Sequence, residues 1–466
     1  MPIDIGSGPP GWTYDQTRTG AVEGTYGGAP GLIEFVERAH ECGLEVIIDK
    51  QYNHKDPEQD SRDQILPSMF TRSTKWGPGL SGKEAYSYPQ ILKLIGEELA
   101  FWAVHYGVDG FRLDATNRLP WEVHEQIAAF CRQIGDARGK PLYVVSEYAE
   151  CEPPTGRRVP TDHQYTDETG RYLMRLLGLS KAAHVLSLPA ERDSFMRPML
   201  KAARRGWWYP DVERPPIGVR GSGRLTTLLW HHDWIGNRFG GERISDVVTF
   251  EQFKAIAVWQ VLGQWTPLVF MGTEFYARTR WYFFTGHQDS STKNNTSAYY
   301  EHASSGPVLA GGRFNEFRLE AREAGFRDAI AFSSDGSLDG IDWRAFREQS
   351  GARGRAYMDH ASSETFWASK LDWRRRDNKQ CAIERLFIAL LQARADSRLI
   401  DGDPRNSQYK GWSESEHVFV LRRRDSDGRE FIGLFNLGSD LVRISISAPG
   451  IDAAGCGQGF VVGMED

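Results

Sequence analysis

Cysteine is scarce in this chain. Cys42, Cys131, Cys151, Cys381 and Cys456 are the five among 466 residues, an odd number set far apart. That fits reduced thiols in a cytoplasm better than a disulfide framework. Long apolar runs are lacking as well. No stretch reaches the roughly 18 uninterrupted apolar residues of a membrane span, so no membrane partner is expected. The start, Met1-Pro2-Ile3-Asp4-Ile5, has neither the basic opening nor the apolar core of a signal peptide. Nor is there an excess of positive charge. Lys and Arg number 56 against 62 Asp and Glu, a net charge of −6, which argues against a broad nucleic-acid surface. No period of solenoid type is visible. The composition, 25% charged and 40% hydrophobic, is that of a soluble globular protein. One excess stands against these shortages: 15 Trp, 17 Tyr and 24 Phe, or 12% aromatic. Flat aromatic faces suit the apolar C–H faces of sugar rings, and they suit core packing equally well.

A unit of amphipathic helix, glycine turn and apolar run recurs early. The first helix carries Leu32, Phe35, Val36 and Ala39 on one face, with Gly43 as C-cap and a strand at 44–48 ending at Asp49. The second carries Ile91, Leu92, Ile95, Leu99 and Trp102, followed by Gly107 and a strand at 108–113 ending at Asp114. The third carries Val123, Ile127, Cys131 and Ile134, followed by Gly139 and a strand at 142–145 running up to Glu147. Helices alternating with buried strands predict an α/β fold with a parallel sheet. Carboxylates at several strand C-termini are what an active site on an α/β barrel needs. Further strands are expected at 163–167, 225–233 and 267–271, and a helix at 382–395. Between them the pattern weakens, which reads as an insertion around 276–360. Short alternating runs at 417–421, 430–437 and 441–446 predict a small antiparallel β domain. The expected division is a catalytic unit over 1–400 and a C-terminal β unit over 401–466.

Four segments concentrate reactive side chains: Asp49-Lys50-Gln51-Tyr52-Asn53-His54, Gly110-Phe111-Arg112-Leu113-Asp114-Ala115, Val144-Val145-Ser146-Glu147 and His231-His232-Asp233-Trp234-Ile235-Gly236-Asn237-Arg238. Hydrolysis of an acetal needs two carboxyls flanking the bond, one to stabilise or attack the sugar cation and one to hold a proton. Arg112 stands two residues before Asp114, so both point to one face of a strand, and a guanidinium there keeps Asp114 ionised. Glu147 follows apolar and small residues whose burial raises its pKa. Each segment alone has a structural reading: Asp49 as a helix or turn cap, Arg112 and Asp114 as an ion pair, His232 and Asp233 as a satisfied polar pair.

In this order and spacing, over 44–238, the segments resemble the four signature regions of the α-amylase family of glycoside hydrolases. The resemblance implies a (β/α)8 TIM-type barrel followed by a C-terminal β-sandwich. It implies Asp114 as nucleophile, Glu147 as general acid/base, and Asp233 as a third carboxylate that orients and distorts the sugar at the cleavage site. His54 and His232 would contact that sugar's hydroxyls and Arg112 would support Asp114. Tyr14, in Gly11-Trp12-Thr13-Tyr14-Asp15, would stack on the same sugar. Within the family the likeness is nearest to the branch that cleaves the α-1,4-glucosidic bond beside the trehalose end of maltooligosyl trehalose. Tyr26-Gly27-Gly28, the run 232–243 with Gly241-Glu242-Arg243, Phe270-Met271-Gly272-Thr273-Glu274, 282–287, and Ser369-Lys370-Leu371-Asp372-Trp373 carry it. The implied partner is therefore an α-glucan or maltooligosyl trehalose, with no cofactor. The chemistry requires no metal, and the sequence holds no ligand cluster for zinc.

Asn117, Tyr148-Ala149, Trp234, Thr273 and Gly286 depart from that branch, which bears on specificity more than on chemistry. Met1-Pro2-Ile3-Asp4 resembles the end of the second barrel strand. The barrel is thus expected to be incomplete at its N-terminus, with residues 1–29 or the C-terminal part folding across the gap, or the chain prone to associate. Two other readings stand beside the first. One is another α-glucan-active enzyme, an α-amylase or a branching-type glucanotransferase, although Trp234 departs from the Glu usual in branching enzymes. The other is a truncated, non-catalytic glucan-binding chain.

Overall fold

The first described strands form an antiparallel hairpin, β1 (Asp4–Gly6) against β2 (Gln16–Val22). The helix Gly28–Glu41 then leads to β3 (Ile47–Lys50). An antiparallel pair, β4 (Phe70–Thr74) and β5 (Gly77–Leu80), comes before the helix Tyr88–His105 and β6 (Gly110–Leu113). The helix Trp121–Arg138 leads to β7 (Tyr143–Glu147), and β8 (His163–Thr166), β9 (Leu225–Thr227) and β10 (Thr266–Pro267) complete a sheet. Its order is β3-β6-β7-β8-β9-β10, parallel throughout. The computed structural model describes residues 2–6, 14, 16–55, 61–74, 77–148, 159–177, 196–205, 225–236, 241–282, 284, 363–373, 376–396, 407–412, 415–424 and 430–438.

The α/β reading holds, and the parallel sheet is observed. A closed eight-stranded ring is not formed by the described residues. β3 and β10 are the sheet's edges, and β1, expected to belong to the barrel wall, pairs with β2 instead. Among the described residues no helix is long and apolar enough to cross a membrane.

Glycines set the turns where the sequence places them: Gly43, Gly107 and Gly139 all have positive φ. Gly110 has a different task. A β-carbon there would overlap the backbone of Tyr143, its partner on β7, so β6 can lie against β7 only with glycine at that position. Three expected core residues face solvent, Ile47 of the run 44–48 at 41% exposed among them. Phe35 is 61% and Leu44 62% exposed, and β3 starts three residues later than the apolar run suggests. The expected strand at 225–233 is also too long. It stops at Thr227, and His232–Gly236 is helical, so Asp233 stands beyond a strand and not at its last residue. Gln260, from the helix Phe250–Leu262, explains the stop. Its side chain accepts from Leu229 N at 2.9 Å, taking that group out of ladder pairing, and donates at 2.7 Å to the Thr227 carbonyl, which also accepts from Leu268 N at 3.1 Å.

Toward the C-terminus, the helix Asn378–Asp396 precedes an antiparallel sheet of β11 (Ser407–Trp412), β12 (Ser415–Arg424) and β13 (Glu430–Asn436). β11 has no alternating pattern to announce it. The run 441–446 and nearly all of 276–360 lie outside the described residues. Buried side chains form two main cores. One gathers Ile48, Trp102, Phe111 and Ile127 from the first half of the sheet. The other gathers Leu225, Trp259 and Ile383 from the second half, and Phe419 of β12 joins it 4.8 Å from Trp259. Val145, Tyr165 and Leu228 form a small cluster at the seam.

Candidate active site

β3, β6 and β7 lie side by side, and each carries an acid at its C-terminal end: Asp49, Asp114 and Glu147. Arg112 joins them. Its Nη1 donates to Asp49 Oδ1 at 2.9 Å and Asp114 Oδ1 at 2.7 Å, and its Nη2 to Glu147 Oε2 at 2.7 Å. One planar guanidinium thus brings all three carboxylates to the same face. Asp49 also accepts from Tyr14 Oη at 2.6 Å, so it is not the helix or turn cap its sequence context allows. Asn53 Nδ2 donates to Asp114 Oδ2 at 2.9 Å and to the Asp114 carbonyl at 3.0 Å. His54 joins through Asn53, whose Oδ1 bonds its Nδ1, with Gln51 Nε2 2.6 Å from the same nitrogen.

After β6 the backbone turns sharply. Ala115 has φ 38°, a left-handed conformation that costs an L-residue about 1–2 kcal/mol. The turn aims the Ala115 N–H at Glu147 Oε2, 2.9 Å away, and Thr116 Oγ1 fastens the Glu147 carbonyl at 2.7 Å. Asp233 approaches from the second half of the chain. Its oxygens lie 3.7 Å from His231 Nδ1 and 3.5 Å from His232 Nε2, and its side chain is 38% exposed. The His232 ring stacks on Tyr14 with centroids 6.5 Å apart and 22° between planes.

Three carboxylates share one cation here, and the ionisation equilibria divide accordingly. Burial alone would raise Asp49, but Arg112 and the bond from Tyr14 hold it well below the usual carboxylate range. Burial pushes Glu147 well above that range. Arg112 pulls against it, and negative Asp114 and Asp233 push the same way as burial. Burial also raises Asp233, with His231 and Arg112 opposing. His232 is kept neutral by burial and by His231 and Arg112 beside it. Because Glu147 Oε2 already accepts two N–H groups, Oε1 is the oxygen left to carry a proton.

Sequence reasoning misses several participants. Asp49, Asn53, Ala115 and the chain Arg171–Asp167–His231 have no assigned role in it. A positive φ at alanine leaves no trace in the sequence. Asp49 does, since it stands at a strand end like the other acids. Among the described residues, His231, His232 and Asp233 hold donor atoms within 4.8 Å of one another, a spacing that could suit a metal ion. Both ring nitrogens of His231 are engaged, by Asp167 and Tyr165, so the group is a hydrogen-bonded cluster.

A parallel α/β sheet with acids on adjacent strand ends is an arrangement suited to an enzyme's active site. No family model matches the sequence. The malto-oligosyltrehalose trehalohydrolase of Saccharolobus solfataricus is 27% identical over 302 residues, 62% of this chain and 53% of that protein. The protein of the same name from Deinococcus radiodurans is 27% identical over 456 residues, 94% of this chain and 66% of its own length. The chain thus spans between about half and two thirds of these relatives. Among solved structures, a putative α-amylase from Salmonella typhimurium superposes with a TM-score of 0.74 at 19% identity, covering 97% of this chain and 71% of its own. These likenesses support an α-amylase family glycoside hydrolase.

Proposed function

We propose that the chain is a retaining α-glucan hydrolase that cleaves the α-1,4-glucosidic bond beside the trehalose end of maltooligosyl trehalose and releases trehalose. The observation that carries this reading is the convergence of Asp114 and Glu147 on one guanidinium, with Asp233 close enough for its charge to act on Glu147. Glu147, protonated at Oε1, gives its proton to the glycosidic oxygen as Asp114 attacks the anomeric carbon. The C–O bond breaks, trehalose leaves as the alcohol, and a glucosyl ester forms on Asp114. Glu147, now a carboxylate, takes a proton from water. That water attacks the same carbon, frees the sugar and restores both acids. Asp233, His54 and His232 hold the sugar's hydroxyls, Tyr14 stacks on its ring, and Arg112 orients Asp114 through the bond to its Oδ1. In this reading 1–400 is the catalytic unit and 401–466 a C-terminal β unit, acting in a cytoplasm without cofactor.

The relatives' names support the substrate, and the site supports the reaction class. A branching enzyme of Bacillus caldolyticus, 29% identical over 27% of this chain, favours glucan transfer as the second reading. Incubation with maltotriosyl trehalose separates the readings. Hydrolysis as proposed yields trehalose and maltotriose in equal amounts. Transfer yields longer glucans without a net gain of reducing ends, α-amylase action yields maltooligosaccharides without trehalose, and a binding chain yields no product.

A further inference from the structure

His231 is the one ring of the His231-His232-Asp233 run that the proposed mechanism leaves idle, yet it is the most elaborately held. Its side chain is 2% exposed. Nε2 lies 3.2 Å from Asp167 Oδ2, and the same oxygen accepts from Arg171 Nε at 3.1 Å, one turn along the helix Glu168–Leu176. Asp167 is buried and nonetheless ionised, because Arg171 and His231 together outweigh its burial. An ionised acceptor at Nε2 fixes the neutral ring as the Nε2–H tautomer and leaves Nδ1 a lone pair. Tyr165 Oη is 3.1 Å from that lone pair and donates to it, while the Tyr165 ring lies beneath the Arg112 guanidinium at 5.4 Å. Asp233 Oδ2 is 3.7 Å from the same Nδ1. His231 thus stands between a fixed carboxylate behind the site and the exposed carboxylate within it.

We propose that His231 is a positioning residue for Asp233, oriented by Asp167 and Arg171, whose Nδ1 sets where the Asp233 carboxyl stands. The inference rests on the proposed function for its effect on rate, but not for the contact itself. Among the described residues, Asp167 faces the ring at Nε2, Tyr165 and Asp233 at Nδ1, and His232 edge-on with centroids 5.4 Å apart. When the ring is neutral, Asp233 meets only a lone pair. When Nδ1 gains a proton, Tyr165 can no longer donate to it, and the new N–H has the Asp233 anion as its nearest charged acceptor. Asp233 is more than a third exposed and so needs such an anchor, since solvent does not fix its rotamer.

Two measurements on the full chain test this. The first is independent of catalysis: imidazole nitrogen spectra of histidine-labelled protein across pH, comparing the parent with Asp233→Asn. The neutral ring is expected as the Nε2–H tautomer, and loss of the Asp233 carboxylate should shift the Nδ1 resonance. An Nδ1–H tautomer, or an Nδ1 resonance unchanged in Asp233→Asn, overturns the proposal even if no substrate is ever turned over. The second is a double-mutant cycle on maltotriosyl trehalose. His231→Leu should lower kcat by about ten- to a hundredfold with KM within a factor of about three, and His231→Gln, which keeps a donor and an acceptor, should recover most of it. In an Asp233→Asn background His231→Leu should change kcat less than about twofold. The same loss in both backgrounds would mean that His231 supports the fold at large. Absence of any turnover in the parent would reject the proposed function, and the nitrogen spectra would still decide whether His231 holds Asp233.

Discussion

Glu147 is largely but not fully buried beside Asp114, Asp233 and Arg112, and the balance decides what it can do. With its carboxyl raised well above the ordinary range by burial, and by Asp114 and Asp233 against Arg112, it can hold a proton until a glycosidic oxygen takes it. Its acid form exists below its titration point, so kcat/KM should fall as pH rises through that point. Glu147→Gln should lower kcat by about 10³-fold or more on a natural leaving group, with KM nearly unchanged, and the alkaline limb should vanish. Steady-state rates across pH check this, and a Gln variant that keeps the limb would assign the proton to another group. At this scale the sequence was partly legible. Asp114, Glu147, Asp233, Arg112, Tyr14, His54 and His232 are all nameable from four short segments and the Tyr14 run. The Ala115 turn and the Arg171–Asp167–His231 chain are not, because they depend on a dihedral angle and on distances between segments 64 residues apart.

At the scale of single elements, the helix Phe250–Leu262 shows what patterning cannot reveal. Its start is readable: Thr249 accepts from Gln252 N while Gln252 accepts from Thr249 N, a reciprocal cap. Its end is not. Two buried arginines from elsewhere serve the last carbonyls. Arg394, on the helix Asn378–Asp396, donates to Val261 O, Gly263 O and Trp265 O at 2.7–3.0 Å. Arg423, on β12, donates to Leu262 O and Gly263 O at 3.0 Å. Positive charge at a helix C-terminus opposes the helix dipole, which offsets part of the penalty for burying two guanidinium groups. Neither arginine announces this role in sequence, and Arg423 sits in a run that reads as a solvated face. Arg423→Met should destabilise the chain by about 2–3 kcal/mol, since Leu262 O loses a charge-assisted bond of about 1.5–3 kcal/mol while Gly263 O keeps the one from Arg394. Denaturant unfolding measures it, and a change below about 0.5 kcal/mol would mean that water replaces the guanidinium. The same dependence on distant partners explains why β9 ends early. Gln260 interrupts it, and no local pattern in 225–233 anticipates that.

For the whole molecule, the hairpin of β1 and β2 is tied to the sheet from both faces of β3. Tyr14 holds Asp49 on one side. On the other, Lys50 Nζ meets Asp4 at 2.7 Å and Glu98 at 2.5 Å, all three buried. Two acids share one cation, so Asp4 is raised from 3.8 to about 6, by burial and by Glu98, with Lys50 opposing. Between those values the folded chain keeps a proton that the unfolded chain has released. This group therefore favours folding at the acid end of the window and less as pH rises through it. Asp49 and Asp167, held low, act in the opposite sense. Asp4→Asn mimics the protonated form and isolates the effect. Its stability relative to the parent should improve from pH 4 to pH 6 and level off above. Chemical denaturation at several pH values checks it, and a pH-independent difference would mean that Asp4 does not carry the effect.

The seam between the two cores has a kinetic consequence. Asp114 and Glu147 ride on strands of four and five residues in the first core, whereas Asp233 follows a strand of three residues in the second. Shorter ladders open more often, so the two halves of the site have separate lifetimes in the assembled state. Warming should then switch the molecule off in two stages. Turnover should cease a few degrees below the main melt, as the 225–236 segment exchanges its amide hydrogens for deuterium while 110–147 stays protected. Coincident loss of rate and of protection across both segments would mean that the seam transmits strain as one solid body.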